Sequence, residues 1–360
     1  MVDPALRPRA AVWLCAALVL SVLPCAMAQE QPKPPGIGWD DGVPAGYRSI
    51  AMAGYATVFE VPADQPVLKS VWIHASRYGV QQPRDLTLVI SDQDLVPVAI
   101  LGVPYDLLEW SDRPKWTEIR LPQEVRPPEQ FAVSLYCHCL QTWGVYLSYD
   151  DPGGKHLSYT LDGNTPSPLL IADEPYNWMI RCEMADKHAP PDDPNPPIFL
   201  QHDDGTAESI QSLGGQGQAV RFKTPDDGAY IIDRVLICGA FYGMPNAAQN
   251  EEFEVHVCDA AGVSIASRKF IYGEFYRGDK PTWTSLPMPE GTEVSGDFSI
   301  FANMNSRQTP GVYVGYDTDG GAEANFSMVG TPGALQPAKF REGNNETTNW
   351  CIRCVLRKKV

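Results

Sequence analysis

The residues of this chain best suited to chemistry are aspartates that occur in matched pairs. Asp41, Asp92 and Asp150 recur as Asp204, Asp259 and Asp317, each beside glycine or small residues at the end of a run that reads as a strand. Carboxylates at turns, joined by turn carbonyls, supply the hard oxygen ligands that Ca²⁺ takes. Asp317, Asp319 and Gly320 add some of the spacing of a calcium loop, although the counterpart Asp150-Asp151-Pro152-Gly153 lacks it. Asp41, Asp150, Asp204, Asp317 and Asp319 are therefore the candidate metal ligands, with calcium as the ion. The alternative is that these aspartates form turns by accepting hydrogen bonds from their own backbone.

Tryptophan offers a second kind of site. Trp116/Trp283 and Trp178/Trp350 occur at matched positions, and burial is the simplest reason for a large aromatic at a fixed place on a strand. Trp39, Trp72, Trp110 and Trp143 have no such twin; His202, Leu236, Arg277 and Pro310 stand in their places. Aromatics free to change are more often exposed, and an exposed platform on a sheet can stack on sugar rings. Trp110 and Trp143, on expected loops, lead this ligand-binding set, with Trp72 and Trp39 behind them. The alternative is packing within one half of the chain.

Catalytic signatures are absent. There is no G-x-S-x-G elbow, no H-E-x-x-H pair and no P-loop. None of the six histidines (His74, His138, His156, His188, His202, His256) has a histidine twin. Adjacent acids such as Asp40/Asp41 and Asp203/Asp204 do not by themselves place two carboxylates across a glycosidic bond. Arg181 and Arg353 lie on otherwise apolar strands, so each needs an acid, and Asp41 and Asp204 are the expected partners. Of nine cysteines, Cys15 and Cys25 lie in the leader, and the odd remainder argues against a disulfide scaffold. Cys351 and Cys354 form a C-x-x-C on a strand, a poor setting for zinc or redox chemistry.

The elements that position these residues come in two copies. Gly144-Val145-Tyr146-Leu147-Ser148-Tyr149-Asp150 has the twin Gly311-Val312-Tyr313-Val314-Gly315-Tyr316-Asp317. Asp41, Gly54, Ala56 and Phe59 recur 163 positions on as Asp204, Gly217, Ala219 and Phe222; Asn177-Trp178 recurs 172 positions on as Asn349-Trp350. The offset grows only between matched blocks, as insertions in loops would make it. Two long copies indicate tandem domains rather than a solenoid. Short alternating runs separated by glycine, proline and aspartate read as strands. Leu86, Leu88 and Ile90 alternate on one, matched by Phe253, Val255 and Val257. The expected fold is all-β: two tandem jelly-roll-like or immunoglobulin-like β-sandwiches from an internal duplication.

The expected organisation is a signal peptide over 1–28, a Pro-rich leader over 29–37, a first module over 38–184, a Pro-rich linker over 185–197, a second module over 198–356 and a basic tail over 357–360. Arg7 and Arg9, the apolar run Ala10 to Leu23 and Ala26-Met27-Ala28 follow the order of a secretory signal. No other stretch is long and apolar enough to span a membrane. The formal charge of −16 becomes more negative once Arg7, Arg9 and Asp3 leave with the leader. That argues against nucleic acid or an anionic lipid surface as the main partner.

At Asp203-Asp204-Gly205, Gly214-Gly215, Gly217, Ala219-Val220-Arg221-Phe222 and Asn349-Trp350-Cys351-Ile352-Arg353, the chain resembles a type of β-sandwich module found in exported bacterial proteins. The first half carries the same ending as Asn177-Trp178-Met179-Ile180-Arg181. The resemblance implies an exported, mainly-β, non-catalytic module, and brings no ligand and no active-site residue with it. The leading expectation is a secreted or periplasmic, non-catalytic binding protein for a carbohydrate or cell-surface polymer. The alternatives are a structural or protein-interaction module of an extracytoplasmic assembly, and a hydrolase with its site between the modules. A hydrolase would require convergent acids of raised pKa in a deep pocket.

Overall fold

Two long strands, Val67–Gly79 and Tyr230–Tyr242, each organise one half of the molecule. In the computed structural model, residues 32–49, 53–80, 84–137, 142–150, 154–163, 165–187, 193–243, 250–304, 310–320 and 322–360 are described. The expected signal peptide, His138, Cys139, His188, Asp151-Pro152-Gly153 and the middle of the expected linker lie outside them. Pro32–Val360 forms one compact unit.

The first half is a sandwich. Its front sheet runs in the order Ile37–Gly38, Ile180–Ala185, Val67–Gly79, Trp143–Asp150, Asn177–Trp178, with Gly46–Arg48 and Lys115–Val125 attached alongside. Its back sheet runs Thr165–Pro168, Ser158–Asp162, Gly54–Glu60, Gln130–Tyr136, Asp85–Asp92, Pro97–Pro104. The second half has the same order: Ile198–Leu200, Ile352–Lys358, Tyr230–Tyr242, Gly311–Asp317 in front, and Gly217–Lys223 beside Asp297–Asn303 and Glu252–Cys258 behind. The molecule is thus all-β, built of sandwiches.

Period-two alternation explains the cores. Val71, Ile73, Leu86, Leu88, Ile90, Val145 and Leu147 point inward and are fully or almost fully buried. Val235, Ile237, Phe253, Val255, Val257, Val312 and Val314 do the same in the second half. Prolines sit in the outer strands Thr165–Pro168 and Pro97–Pro104, where a missing N–H breaks no central ladder. Those prolines also hide such strands from a sequence reading.

The last strand of each half is a wedge. Asn177–Trp178 pairs with Trp143–Asp150, and the chain then crosses so that Ile180–Ala185 pairs with Val67–Gly79. At the crossing, Met179 donates its N–H to Ser148 O and accepts from His74 N–H. Cys351 repeats this, donating to Gly315 O and accepting from Cys238 N–H. The final strand runs to Lys358, so Arg357 and Lys358 are strand residues rather than a solvated tail. Nearby acids explain this: Arg357 meets Asp193 and Asp233, and Lys358 meets Asp226.

The halves pack face to face. Ala56, Val89, Ile100, Tyr136 and Leu161 on the outer side of the first back sheet meet Leu236, Cys238, Trp283, Cys351 and Val355 of the second half. Polar groups lock this contact. Asp85 Oδ2 accepts from Arg234 Nη1 at 2.8 Å and from Ser285 Oγ at 2.6 Å, and Ser285 N–H donates to Thr87 Oγ1 at 3.0 Å. Arg234 also donates to Gly102 O at 2.7 Å. A Cβ at Gly102 would collide with Ser285 Oγ and the Arg234 guanidinium, so only glycine allows this approach. Arg84 and the buried Glu274 form a second bridge of 2.8 Å across the interface.

Burial pushes Glu274 up from its ordinary 4.5 to about 7; Arg84 and Arg268 oppose the shift and Asp85 adds to it. Asp85 is raised by burial as well, against the pull of Arg234. A carboxyl raised on folding gives stability that is complete below its unfolded pKa and is lost as pH rises through the folded value. We therefore predict that urea stability falls between about pH 5 and pH 8, and falls less steeply in Glu274→Gln. Identical pH profiles for the two proteins would refute this role.

Candidate functional site

The sandwich geometry places the four unmatched tryptophans in four different settings. Trp143 is not on a loop. It begins the strand Trp143–Asp150 and shares the inward face with Val145 and Leu147, so it is buried in the core. The Arg84 guanidinium lies 4.6 Å from its ring, and Tyr105 meets it edge-on at 5.9 Å. Trp143 is thereby withdrawn from the ligand-binding set. Trp110 is 67 % exposed, opposite Arg77, on the face away from Tyr78. Trp72 is half-buried on the outer side of the front sheet, its indole N–H 3.4 Å from Glu183 Oε2. Trp39 donates to Val58 O at 2.7 Å, with Lys155 over its ring at 5.5 Å. These side chains do not converge on one platform.

Tyrosines do. In the front sheet of the first half, Tyr47 stands opposite Ser148, Ser76 opposite Tyr146, and Tyr78 opposite Gly144. Pleating puts all of these on the outer face. Tyr78 and Tyr146 stack at 4.4 Å between centroids, and Tyr47 follows Tyr146 at 5.2 Å. Ser49 Oγ lies 3.0 Å from Tyr78 OH. The second half repeats the arrangement, with Tyr242 and Tyr313 at 4.4 Å and Ser212 Oγ 2.6 Å from Tyr242 OH. Ile210 takes the place of Tyr47 there. Tyr47 is 47 % exposed, and Tyr78 and Tyr146 are partly so. Beneath them His74 Nδ1 meets Ser148 Oγ at 2.8 Å. Burial lowers the His74 pKa to about 4, so the ring is neutral at physiological pH. The signal for this ladder lay in the repeated Gly-Val-Tyr motif itself. Singly, each tyrosine reads as an ordinary strand residue.

Trp178 and Trp350 are fully buried, and Trp116 and Trp283 nearly so. The last two lie under guanidinium groups, Arg181 at 5.8 Å and Arg353 at 4.6 Å. The acids that hold these arginines are Asp40 and Asp203, not the expected Asp41 and Asp204. Arg181 Nη2 donates to Asp40 Oδ1 at 2.8 Å, and Arg353 Nε to Asp203 Oδ1 at 2.9 Å. Strand parity gives the reason. Gly38 lies opposite Arg181, and the residue two further on, Asp40, returns to the same side. Asp41 faces away and caps a turn by accepting from Val43 N–H at 2.7 Å.

The candidate metal ligands divide between the halves. Asp150 Oδ2 accepts from Asp41 N–H at 2.6 Å. Asp317 is more heavily used, with Asp204 N–H on Oδ2 and both Asp319 and Gly320 N–H on Oδ1. Asp204, Asp317 and Glu208 hold carboxylate oxygens within 4.8 Å of one another, the group of this kind among the described residues. Asp319 is not part of it. Glu208, which sequence reading missed, accepts from Thr206 Oγ1 and Thr318 N–H; its counterpart in the first half is Ala45. Asp92 and Asp259 each accept two N–H groups of a following turn. These bonds are those of turn-forming aspartates.

Acids of raised pKa do converge between the halves, as Asp85 and Glu274. Both are ion-paired across the interface, Asp85 with Arg234 and Glu274 with Arg84.

No family model matches the chain, and no curated protein matches it. Among solved structures, the fold is similar to that of the clostridial cysteine protease Cwp84 after propeptide cleavage, at 11% identity over 81% of this chain and 71% of that one, with a TM-score of 0.34. It is similar to the cysteine protease and lectin-like domains of Cwp84, a surface layer associated protein of Clostridium difficile, at 11% identity over 83% of this chain and 65% of that one, TM-score 0.31. An apo lectin of Pleurotus ostreatus aligns at 10% identity over 87% and 88% of the two chains, TM-score 0.17. Likeness at this level carries no inference about ligand or reaction.

Two outcomes follow from the geometry. Trp143→Ala should lower stability to urea by about 3–5 kcal/mol, as removal of a buried aromatic does; a loss below about 1 kcal/mol would mean the ring is not packed as described. Arg353→Ala should cost about 3–5 kcal/mol because Asp203 is left buried without its partner.

Proposed function

We propose that this is an exported, non-catalytic binding protein for a carbohydrate or cell-surface polymer, with the Tyr47–Tyr146–Tyr78 ladder as its platform. The observation that carries the reading is the outward-facing ladder, whose Tyr78–Tyr146 pair is matched by Tyr242–Tyr313 in the second half, while Tyr47 extends it in the first half alone. Stacked phenol rings offer apolar faces to the C–H side of a sugar, while Ser49 and the tyrosine hydroxyls offer hydrogen bonds at the edge. The acidic charge of the chain favours a neutral polymer over an anionic one. No helix among the described residues is long and apolar enough to cross a membrane.

The test is retention of the chain without its leader on a panel of soluble and insoluble polysaccharides. Tyr146→Ala or Tyr47→Ala should weaken retention on the preferred glycan about threefold to tenfold, the worth of an aromatic contact. Retention that survives both changes in folded protein would remove the ladder from the site. No retention on any glycan would shift the reading to a protein partner.

A further inference from the structure

The contact between the halves is not filled along its whole length. Next to Val89 it opens into a cavity of about 250 Å³, with the outer side of the first back sheet as one wall and Cys238, Trp283 and residues 205–207 as the other. Pleating puts Ser91 and Ser134 on that side with Val89: Ser91 is two residues further along the same strand, and Ser134 stands opposite Val89. The second half carries Cys258 and Phe301 at those two places, on its free back. Burial alone would select the reverse, with the serines on the free back and the apolar pair beneath the neighbouring half. Ser91 is 1 % exposed, and its Oγ has no hydrogen-bond partner among the described residues. A buried hydroxyl in that state is destabilising until something in the cavity bonds to it.

The cavity is polar at its two ends. Ser91 pairs with Pro97, and Pro97 O lies 3.2 Å from where a Cβ on Gly205 would stand, so this end adjoins the loop that carries Asp204 and Glu208. At the other end is Lys280, whose Nζ donates to Thr165 Oγ1 at 2.6 Å, on the far edge strand of the same sheet. No carboxylate among the described residues pairs with Lys280, and no Asp or Glu lines the cavity. Between the ends the lining is apolar, with Val89, Leu95, Tyr136, Pro281 and Trp283. Leu95 has a left-handed backbone, φ +64°, where the second half has Gly262. Leucine is disfavoured in that conformation, yet its side chain packs against the contact between the halves, so this wall is maintained against backbone strain.

We propose that this cavity binds a small hydroxylated aromatic acid, with its ring against the apolar walls, its hydroxyl at Ser91 and its carboxylate at Lys280. An apolar cavity of about 150 Å³ takes up benzene, so the present one has room for one ring with short substituents. The ammonium of Lys280 supplies the charge complement, at the end away from the Asp204 and Glu208 loop. The neutral hydroxyl goes to the end where a negative charge would be repelled. The proposal is independent of the sugar-binding reading, since the first half's tyrosine ladder lies on its front sheet.

The test is isothermal titration calorimetry on the chain without its leader. 4-Hydroxyphenylacetate should bind saturably. Phenylacetate, which lacks the hydroxyl, and 2-(4-hydroxyphenyl)ethanol, which lacks the acid, should each bind about threefold to tenfold more weakly. Ser91→Ala should leave the urea midpoint in place and bring 4-hydroxyphenylacetate down to the level of phenylacetate. Lys280→Met, at an exposed position, should bring it down to the level of the alcohol. Absence of saturable binding, or binding that both variants leave unchanged, would overturn the site. A missing preference for the hydroxyl or for the acid would overturn that end of the assignment. A lowered midpoint in Ser91→Ala would show that the hydroxyl already has a partner and would overturn its role.

Discussion

A guanidinium that cannot reach water must find a carboxylate, and much of each half is arranged around that need. Arg181 and Arg353 sit on the last strand, at its crossing between two neighbours, with Asp40 and Asp203 as their counterions. Each pair ties the first segment of its half to the final strand, joining the two ends of the half. It also fixes the loop that follows the acid. In the second half that loop reaches the interface: Trp283 Nε1 donates to Gly205 O at 2.9 Å, and Cys351 Sγ donates to Thr206 O at 3.1 Å. Breaking such a pair would leave a buried charge, so its cost exceeds the worth of the contact alone.

The two halves have one strand order but different neighbours, and their differences follow from that. Val89 meets the second half and is apolar; His256, at the same place, faces outward. Gly102 admits Arg234 and Ser285, a constraint imposed by the neighbouring half. The tyrosine ladder stands on the free front of the first half, whereas Tyr242 and Tyr313 share the outer face of their sheet with Leu236 and Cys238, which meet the first half.

Much of this was legible in the chain, because alternation and repetition report burial on a sheet. Leu86, Leu88 and Ile90 marked a core face, and the fold class followed from many such runs. Two failures are off by one residue. Trp143 was assigned to a loop because its strand was started one residue late, at Gly144; continued back by one, the same alternation puts Trp143 on the inward face with Val145 and Leu147. Asp41 was paired with Arg181, one residue from the true partner, because parity brings Asp40 and not Asp41 to the side of Arg181. The strand Pro97–Pro104 was passed over because proline reads as a breaker unless the strand is known to be an edge. The interface was invisible for a different reason. Asp85, Arg234, Glu274 and Arg84 are distant in sequence, and no local pattern announces a contact between halves.

The contact between the halves joins unlike surfaces, the back of one sandwich to the front of the next. Geometrically such a junction has no natural end, because each molecule retains one unused front and one unused back, and a third unit could be added by the same step. Side-chain chemistry closes it. Leu236, Cys238 and Val355 line the used front, whereas Trp72, His74 and Glu183 occupy those places on the free one; Val89, Ile100 and Tyr136 line the used back, and His256, Ser267 and Asn303 the free one. The polar character of those few positions therefore withholds from the free front and the free back the apolar match that joins the two halves, and drift toward hydrophobicity there would favour end-to-end addition by a contact that does not close.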